Sequence, residues 1–190
     1  MSPELLSPDE RLLLLKLARQ ALEASVCGNR LPPLVLPELP PGLQQPGASF
    51  VTLTIHGNLR GCVGALEPYQ SLAEDVREHA VAAALQDFRF PPVQPSELPD
   101  IRIEVSRLTL PHELDYASSD DLLSRLRPGL DGVTLMDGRM RATFLPQVWE
   151  KLPDAPTFLS HLCYKMGAPD DLWRRKKLRV QIYQVEEFHE

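Results

Sequence analysis

The sequence predicts an α+β protein: a largely antiparallel sheet with flanking helices. Three observations carry this. Two hairpin signals, at Gly57-Asn58 and Asp137-Gly138, sit between alternating apolar stretches. Stretches with helical periodicity lie between the hairpins rather than alternating strictly with single strands. The order of elements therefore mixes helices with hairpins, which favours α+β over a doubly wound parallel sheet.

The first helix is announced by Ser7-Pro8-Asp9-Glu10, where Ser7 caps, Pro8 suits the first helical position and Glu10 completes a capping box. Leu13, Leu17 and Ala21, with Leu14, Ala18 and Leu22, form its apolar stripe, and Gly28 stops it. The leading helix thus covers 7–27. A proline-rich connector, 31–46, follows without periodicity of its own. Phe50 to Ile55 alternates as a strand. Pairing symmetric about the Gly57-Asn58 turn is expected, so Ile55 faces Arg60, Leu53 faces Cys62 and Val51 faces Gly64. Arg60 and Cys62 then share the Val51/Leu53/Ile55 face, with Gly61 and Gly64 leaving room above the sheet.

Ser71-Leu72-Ala73-Glu74 opens a second helix running to about Gln86, with Leu72, Val76, Ala80, Ala83 and Ala84 inward. Asp87-Phe88-Arg89-Phe90-Pro91-Pro92 is a sharp exit. Ile101 to Leu108 reads as a strand, Ser118 to Arg127 as a short helix closed by Pro128-Gly129. In the second hairpin Val133, Leu135, Met140, Ala142 and Phe144 share an apolar face opposite Thr134, Arg139, Arg141 and Thr143. Pro156 to Met166 is helical, and Leu178 to Val185 is a final strand. The whole chain, 1–190, is predicted as one domain, with its main motif region over 48–190.

Composition narrows function. The 190 residues are 43% hydrophobic and 24% charged, ordinary for a globular domain with a real core. The formal charge of −6 argues against a duplex-binding face, so nucleic acid is not an expected partner. The one basic cluster, Arg174, Arg175, Lys176, Lys177 and Arg179, reads as a solvated helix end and strand start before it reads as an anion patch. Cys27, Cys62 and Cys163 are odd in number and widely spaced, the acidic N-terminus carries no leader pattern, and no apolar run reaches membrane length. These point to a reduced, cytoplasmic protein.

The sharpest chemistry is Arg60-Gly61-Cys62-Val63-Gly64. Cys62 has two readings: a nucleophile or ligand-contacting thiol with Arg60 holding an anion, or a small buried residue in a tight hairpin. Asp87, Arg89 and Phe90 follow a helix end, where Arg89 compensates the partial negative charge or the group shapes a cleft rim. Glu104 and Ser106 share a strand face, and Glu104 is the expected ion-pair partner of Arg60. His79, in an alanine-rich helix, reads as a surface or satisfied histidine. His161 and Cys163 fall on different helix faces, and no CxxC or HxxxH is present, so neither a metal nor a cofactor is expected. Nucleotide and hydrolase signatures are missing too.

The blocks FVTLTIHGNLRGCVGALEP, ALQDFRFPPV and IRIEVSRLT, then DGVTLMDGRMRATFLPQVWE and FLSHLCYKMGAP, resemble the AMMECR domain family in its own order. Phe88 departs from relatives that carry Pro or Ser before the arginine. The resemblance implies a larger and a smaller lobe with a cleft between them. In prokaryotes it implies a place in the AmmeMemoRadiSam system, beside a Memo-like protein and a radical SAM protein. It implies no reaction, so whether the chain is an enzyme stays open. The expected function is a cleft-bearing binding or accessory protein taking a small anionic ligand or a partner's peptide. The alternatives are a cysteine-dependent enzyme using Cys62 for acyl or isopeptide-type transfer, and an RNA-binding protein.

Overall fold

The computed structural model describes residues 5–190. Residues 1–4, which entered the argument against a leader, lie outside the described residues. Contacts divide the chain into two compact units, the first running to Thr109 and taking back Glu186–Glu190, the second Leu110–Val185.

The first unit opens with helix α1 (Pro8–Val26), whose capping box closes as predicted: Ser7 accepts from Glu10 N–H and Glu10 reaches back to Ser7. Leu14, Leu15, Leu17, Ala18, Ala21 and Leu22 are its buried side. Gly28 leaves the helix at φ 70°. The connector is less featureless than its prolines suggest. It holds a 3₁₀ turn at Leu36–Glu38 and a short helix, α2 (Pro41–Gln44), which buries Leu43 completely. Strand β1 (Pro46–Ile55) starts inside it, and β2 (Asn58–Gly64) returns. A two-residue strand, β3 (Gln70–Ser71), pairs with the start of β1 and leads into α3 (Leu72–Leu85). Strand β4 (Ile101–Leu108) follows.

The first hairpin corrects the expected register. His56 and Gly57, at φ 50° and 79°, are the central turn residues, so Ile55 closes against Asn58. A bulge then leaves Arg60 unopposed, and Leu53 meets Gly61, Thr52 meets Cys62 and Phe50 meets Gly64. Cys62 therefore belongs to the Thr52 face, opposite to the expectation, because one residue of slip exchanges the faces of a strand.

The Val51/Leu53 face is the core. Val51, Leu53, Ile101, Ile103 and Val105 are fully buried with the apolar sides of α1 and α3. Gly61 lies on this side for a packing reason. A Cβ there would come 2.1 Å from the Ala83 carbonyl oxygen of α3. At Gly64 a Cβ would come 2.4 Å from the Phe50 ring and the Ser49 carbonyl. Close packing thus explains both glycines, which were expected to leave space for a ligand.

The second unit contains β5 (His112–Glu113), α4 (Ser119–Arg125), β6 (Gly132–Asp137), β7 (Met140–Phe144), α5 (Ala155–Lys165), α6 (Leu172–Arg175) and β8 (Arg179–Tyr183), with its sheet in the order β5-β8-β6-β7. The second hairpin keeps the predicted faces but not the predicted register. Asp137 closes against Met140, so Gly138-Arg139 is the turn, and Val133 meets Phe144 and Leu135 meets Ala142, two residues from symmetric pairing about Asp137-Gly138. A shift of two leaves each side chain on its own face. Its core is built on Trp149 and Phe158, stacked at 3.7 Å, and α5 contributes Leu159, Leu162 and Cys163. The strand expected over Leu178 to Val185 is two strands. After β8 the chain passes Gln184 and forms β9 (Val185–His189), which joins the first sheet in the order β2-β1-β4-β9. The fold is thus α+β with two sheets, and the paired registers within them are antiparallel.

Replacing Gly61 by alanine forces α3 away from β2. We expect a loss of roughly 3 kcal/mol in urea unfolding, at the upper end for overpacked sites because the obstructing atom is backbone.

Candidate functional site

Strand β2 is an edge of its sheet, so half its backbone polar groups point outward. At Cys62 these groups are satisfied by side chains. Asp87, two residues beyond the end of α3, accepts the Cys62 N–H at 2.8 Å. Arg89 donates to the Cys62 carbonyl at 3.2 Å and holds both carboxylate oxygens of Asp87, at 2.9 and 2.6 Å. Its own backbone N–H also donates to Asp87. Asp87 is buried, and the hydrogen bond from Arg89, then those from the backbone of Cys62 and Arg89, hold its carboxyl well below the usual carboxylate range against the cost of burial. Arg89, expected to compensate the helix end or to shape a cleft rim, has the Asp87 carboxylate and the Cys62 carbonyl as its hydrogen-bond partners. Asp87 and Arg89 both turn to the strand, so Phe88 between them turns away and is 96% exposed. Phe90 is half-buried, with the Arg89 guanidinium 5.5 Å from its ring centre.

The half-buried Cys62 sulfur accepts a hydrogen bond from the Thr52 hydroxyl at 3.3 Å. Arg89 is held above its ordinary value first by its bond to Asp87, and the Cys62 side chain contributes in the same direction. Thr52 is also opposite Glu104, so Cys62, Thr52 and Glu104 form one row across the sheet. Gly64, Phe50 and Ser106 form the next. Cys62, Gly64, Glu104 and Ser106 are thus brought to one face, with Asp87 and Arg89 at its edge.

Arg60 and Gly61 do not join them. Arg60 makes a two-pronged pair with Glu97, at 2.7 and 3.0 Å, and not with Glu104 as expected. That pair holds the Glu97 carboxyl below its ordinary value. The third guanidinium nitrogen of Arg60, Nη1, is buried with no partner among the described residues.

Of the two expected settings for His79, surface or satisfied, the structure has the second: it is buried and partnered. Its Nδ1 lies 3.1 Å from Asp75, which also accepts from Ser49 at 2.6 Å. Ser49 alternates with Val51 and Leu53, so this group occupies the helix-covered side, across the sheet from Cys62. Among the described residues no group of three or more His, Cys, Asp and Glu side chains could hold a metal ion. Cys27 is exposed, and burial raises the Cys163 thiol. In the basic cluster Arg175 pairs with Asp171, Lys176 with Asp137 and Arg179 with Glu113.

Sequence reasoning missed Thr52, Glu97 and the Ser49–Asp75–His79 group. The i, i+4 spacing of Asp75 and His79 was a usable signal. Glu97 offered none, because it is brought to Arg60 by the loop after α3.

The fold and this face define a class: an α+β protein that presents a thiol on a side-chain-clamped edge strand. The family model described as AMMECR1 matches residues 15–188, and the chain belongs to that family. A protein of Methanothermobacter thermautotrophicus is 43% identical over 187 residues, covering 97% of this chain and 96% of the relative. One of Thermofilum pendens is 38% identical, covering 97% and 92%. The crystal structure of the uncharacterised protein PH0010 from Pyrococcus horikoshii is similar with a TM-score of 0.76 and 31% identity, covering 97% of this chain and 93% of that one. Among the described residues no helix is long and apolar enough to cross a membrane.

The Asp87 carboxyl is depressed in the folded chain, so its contribution is complete above the unfolded value near 3.9 and is lost as pH falls below it. Asp87→Asn should cost about 2 kcal/mol between pH 5 and 8, the size of a hydrogen-bonded charged partner. The gap to wild type should narrow as unfolding is measured below about pH 4.

Proposed function

We propose that this chain is a binding or accessory protein that works with a Memo-like and a radical SAM protein, through the face carrying Cys62, Thr52 and Glu104. The observation that carries this is the composition of the face. It gathers a thiol, a hydroxyl and a carboxylate in one row, and the buried histidine lies on the other side of the sheet. Such a row serves polar recognition, offering a hydroxyl that can donate and a carboxylate that accepts. A small anionic ligand would meet Arg102, exposed on this face opposite Thr54, rather than Arg60, which is already matched to Glu97. A cytoplasmic location belongs with this reading and is supported by three free cysteines.

Titrating the tagged chain with purified Memo-like and radical SAM proteins tests it. Wild type should bind at least one of them, and Cys62→Ala or Glu104→Gln should weaken that binding about tenfold, an ordinary loss for one interface contact of about 1.4 kcal/mol. Arg60→Ala should change it little. Failure of wild type to bind either protein overturns the accessory role.

One observation favours the cysteine-dependent enzyme as a second reading: the Thr52 hydroxyl donates to the Cys62 sulfur, and the Arg89 guanidinium is held at the carbonyl of the same residue. If this is the working site, iodoacetamide should label Cys62 faster than free cysteine at neutral pH. Labelling no faster than free cysteine removes that reading. Nothing in the geometry favours RNA binding, since Arg175, Lys176 and Arg179 of the basic cluster are paired with carboxylates.

A further inference from the structure

Edge strands are normally protected by charged side chains, prolines or bulges that spoil pairing with another chain. Strand β2 has little of this in its own sequence. It contains no proline and no lysine, and its single charge, Arg60 at the bulge, is bound to Glu97. Leu59 and, just beyond the strand, Leu66 are exposed. Past the bulge β2 pairs regularly with β1 from Gly61 to Gly64. In an antiparallel ladder every second residue aims its N–H and C=O away from the partner strand. At Cys62 those outward groups are bonded to Asp87 and Arg89, so the outward groups of Gly64, two residues on, point the same way.

The protection of this edge is therefore imported. Asp87 supplies an acceptor and Arg89 a donor, which is what one residue of an added strand would supply. A carboxylate and a guanidinium do so at a smaller entropic cost than ordering a further strand, because both are already held to each other. We propose that the Asp87–Arg89 pair is an edge guard, which occupies the outward peptide at Cys62 and so prevents β2 of a second copy of this chain from adding alongside. A second copy is the occupant that fits, because two identical edges related by a two-fold axis meet antiparallel and each offers the same repeat of outward groups. Such pairing would also cover the exposed Leu59 and Leu66.

The test compares wild type, Phe88→Ala and the double variant Asp87→Ala/Arg89→Ala, which removes both charges together. Mass is followed by analytical ultracentrifugation over rising protein concentration, Cys62 amide exchange by NMR at low concentration, and folding by circular dichroism. Wild type and Phe88→Ala should be monomeric at every concentration. The double variant should exchange the Cys62 amide at least about tenfold faster, as an opened edge does, and then approach twice the monomer mass as concentration rises. Should the double variant not fold, Arg89→Ala is read in its place. It leaves Asp87 on the Cys62 N–H but frees the carbonyl, and it too should show concentration-dependent dimer. A folded variant that stays monomeric throughout overturns the guard, as does unchanged Cys62 exchange in the double variant. Dimerisation of wild type through β2 overturns it as well.

Discussion

The backbone of α3 rests on β2 with nothing between them. The Ala83 carbonyl occupies the space a side chain at Gly61 would need, and Ala80, Ala83 and Ala84 keep the helix surface flat around it. This contact brings the end of α3 to the outer edge of the strand. Only from there can Asp87 and Arg89, a few residues later, reach the Cys62 peptide. The helix-covered face of the sheet, the clamp at its edge and the direction of the Cys62 thiol all follow from one close approach.

Charges in the first unit serve mostly to tie chain segments that are distant in sequence. Glu186 of β9 is buried and accepts from the Leu6 N–H, Arg11 and Arg107, so the start of the chain, β4 and the returning C-terminal strand meet on one carboxylate. Arg19 of α1 holds the Leu98 and Ile101 carbonyls and pairs with Glu190. Asp75 is the costlier case. It is fully buried and shared between Ser49 and His79, and its second oxygen has no partner among the described residues. Leaving such a group half satisfied offsets part of what the core gains.

Most elements were legible because their signals are local. The capping box at Ser7, the alanine-rich inner face of α3 and the presence and faces of the second hairpin, though not its register, each depend on residues within one or two turns of each other. The first hairpin was misread by this same kind of reasoning. Either Gly57-Asn58 or His56-Gly57 can form a two-residue turn by composition, and the bulge that leaves Arg60 unopposed has no sequence mark. Leu178 to Val185 looked like one strand because no glycine or proline separates β8 from β9; the break in alternation at Ile182-Tyr183, both buried, was the available mark.

The candidate site shows the division most clearly. The sequence alone established that Arg60, Cys62, Asp87, Arg89, Glu104 and Ser106 are the chemistry-bearing residues of the central blocks, since type and spacing suffice to single them out. Which of them meet was decided by tertiary structure. Whether Arg60 pairs with Glu97 or Glu104, and whether Cys62 faces the core or the Thr52 row, turns on one residue of register and on where α3 ends in space. Those are differences between long-range contacts of similar local cost, and only the packing of the whole unit separates them.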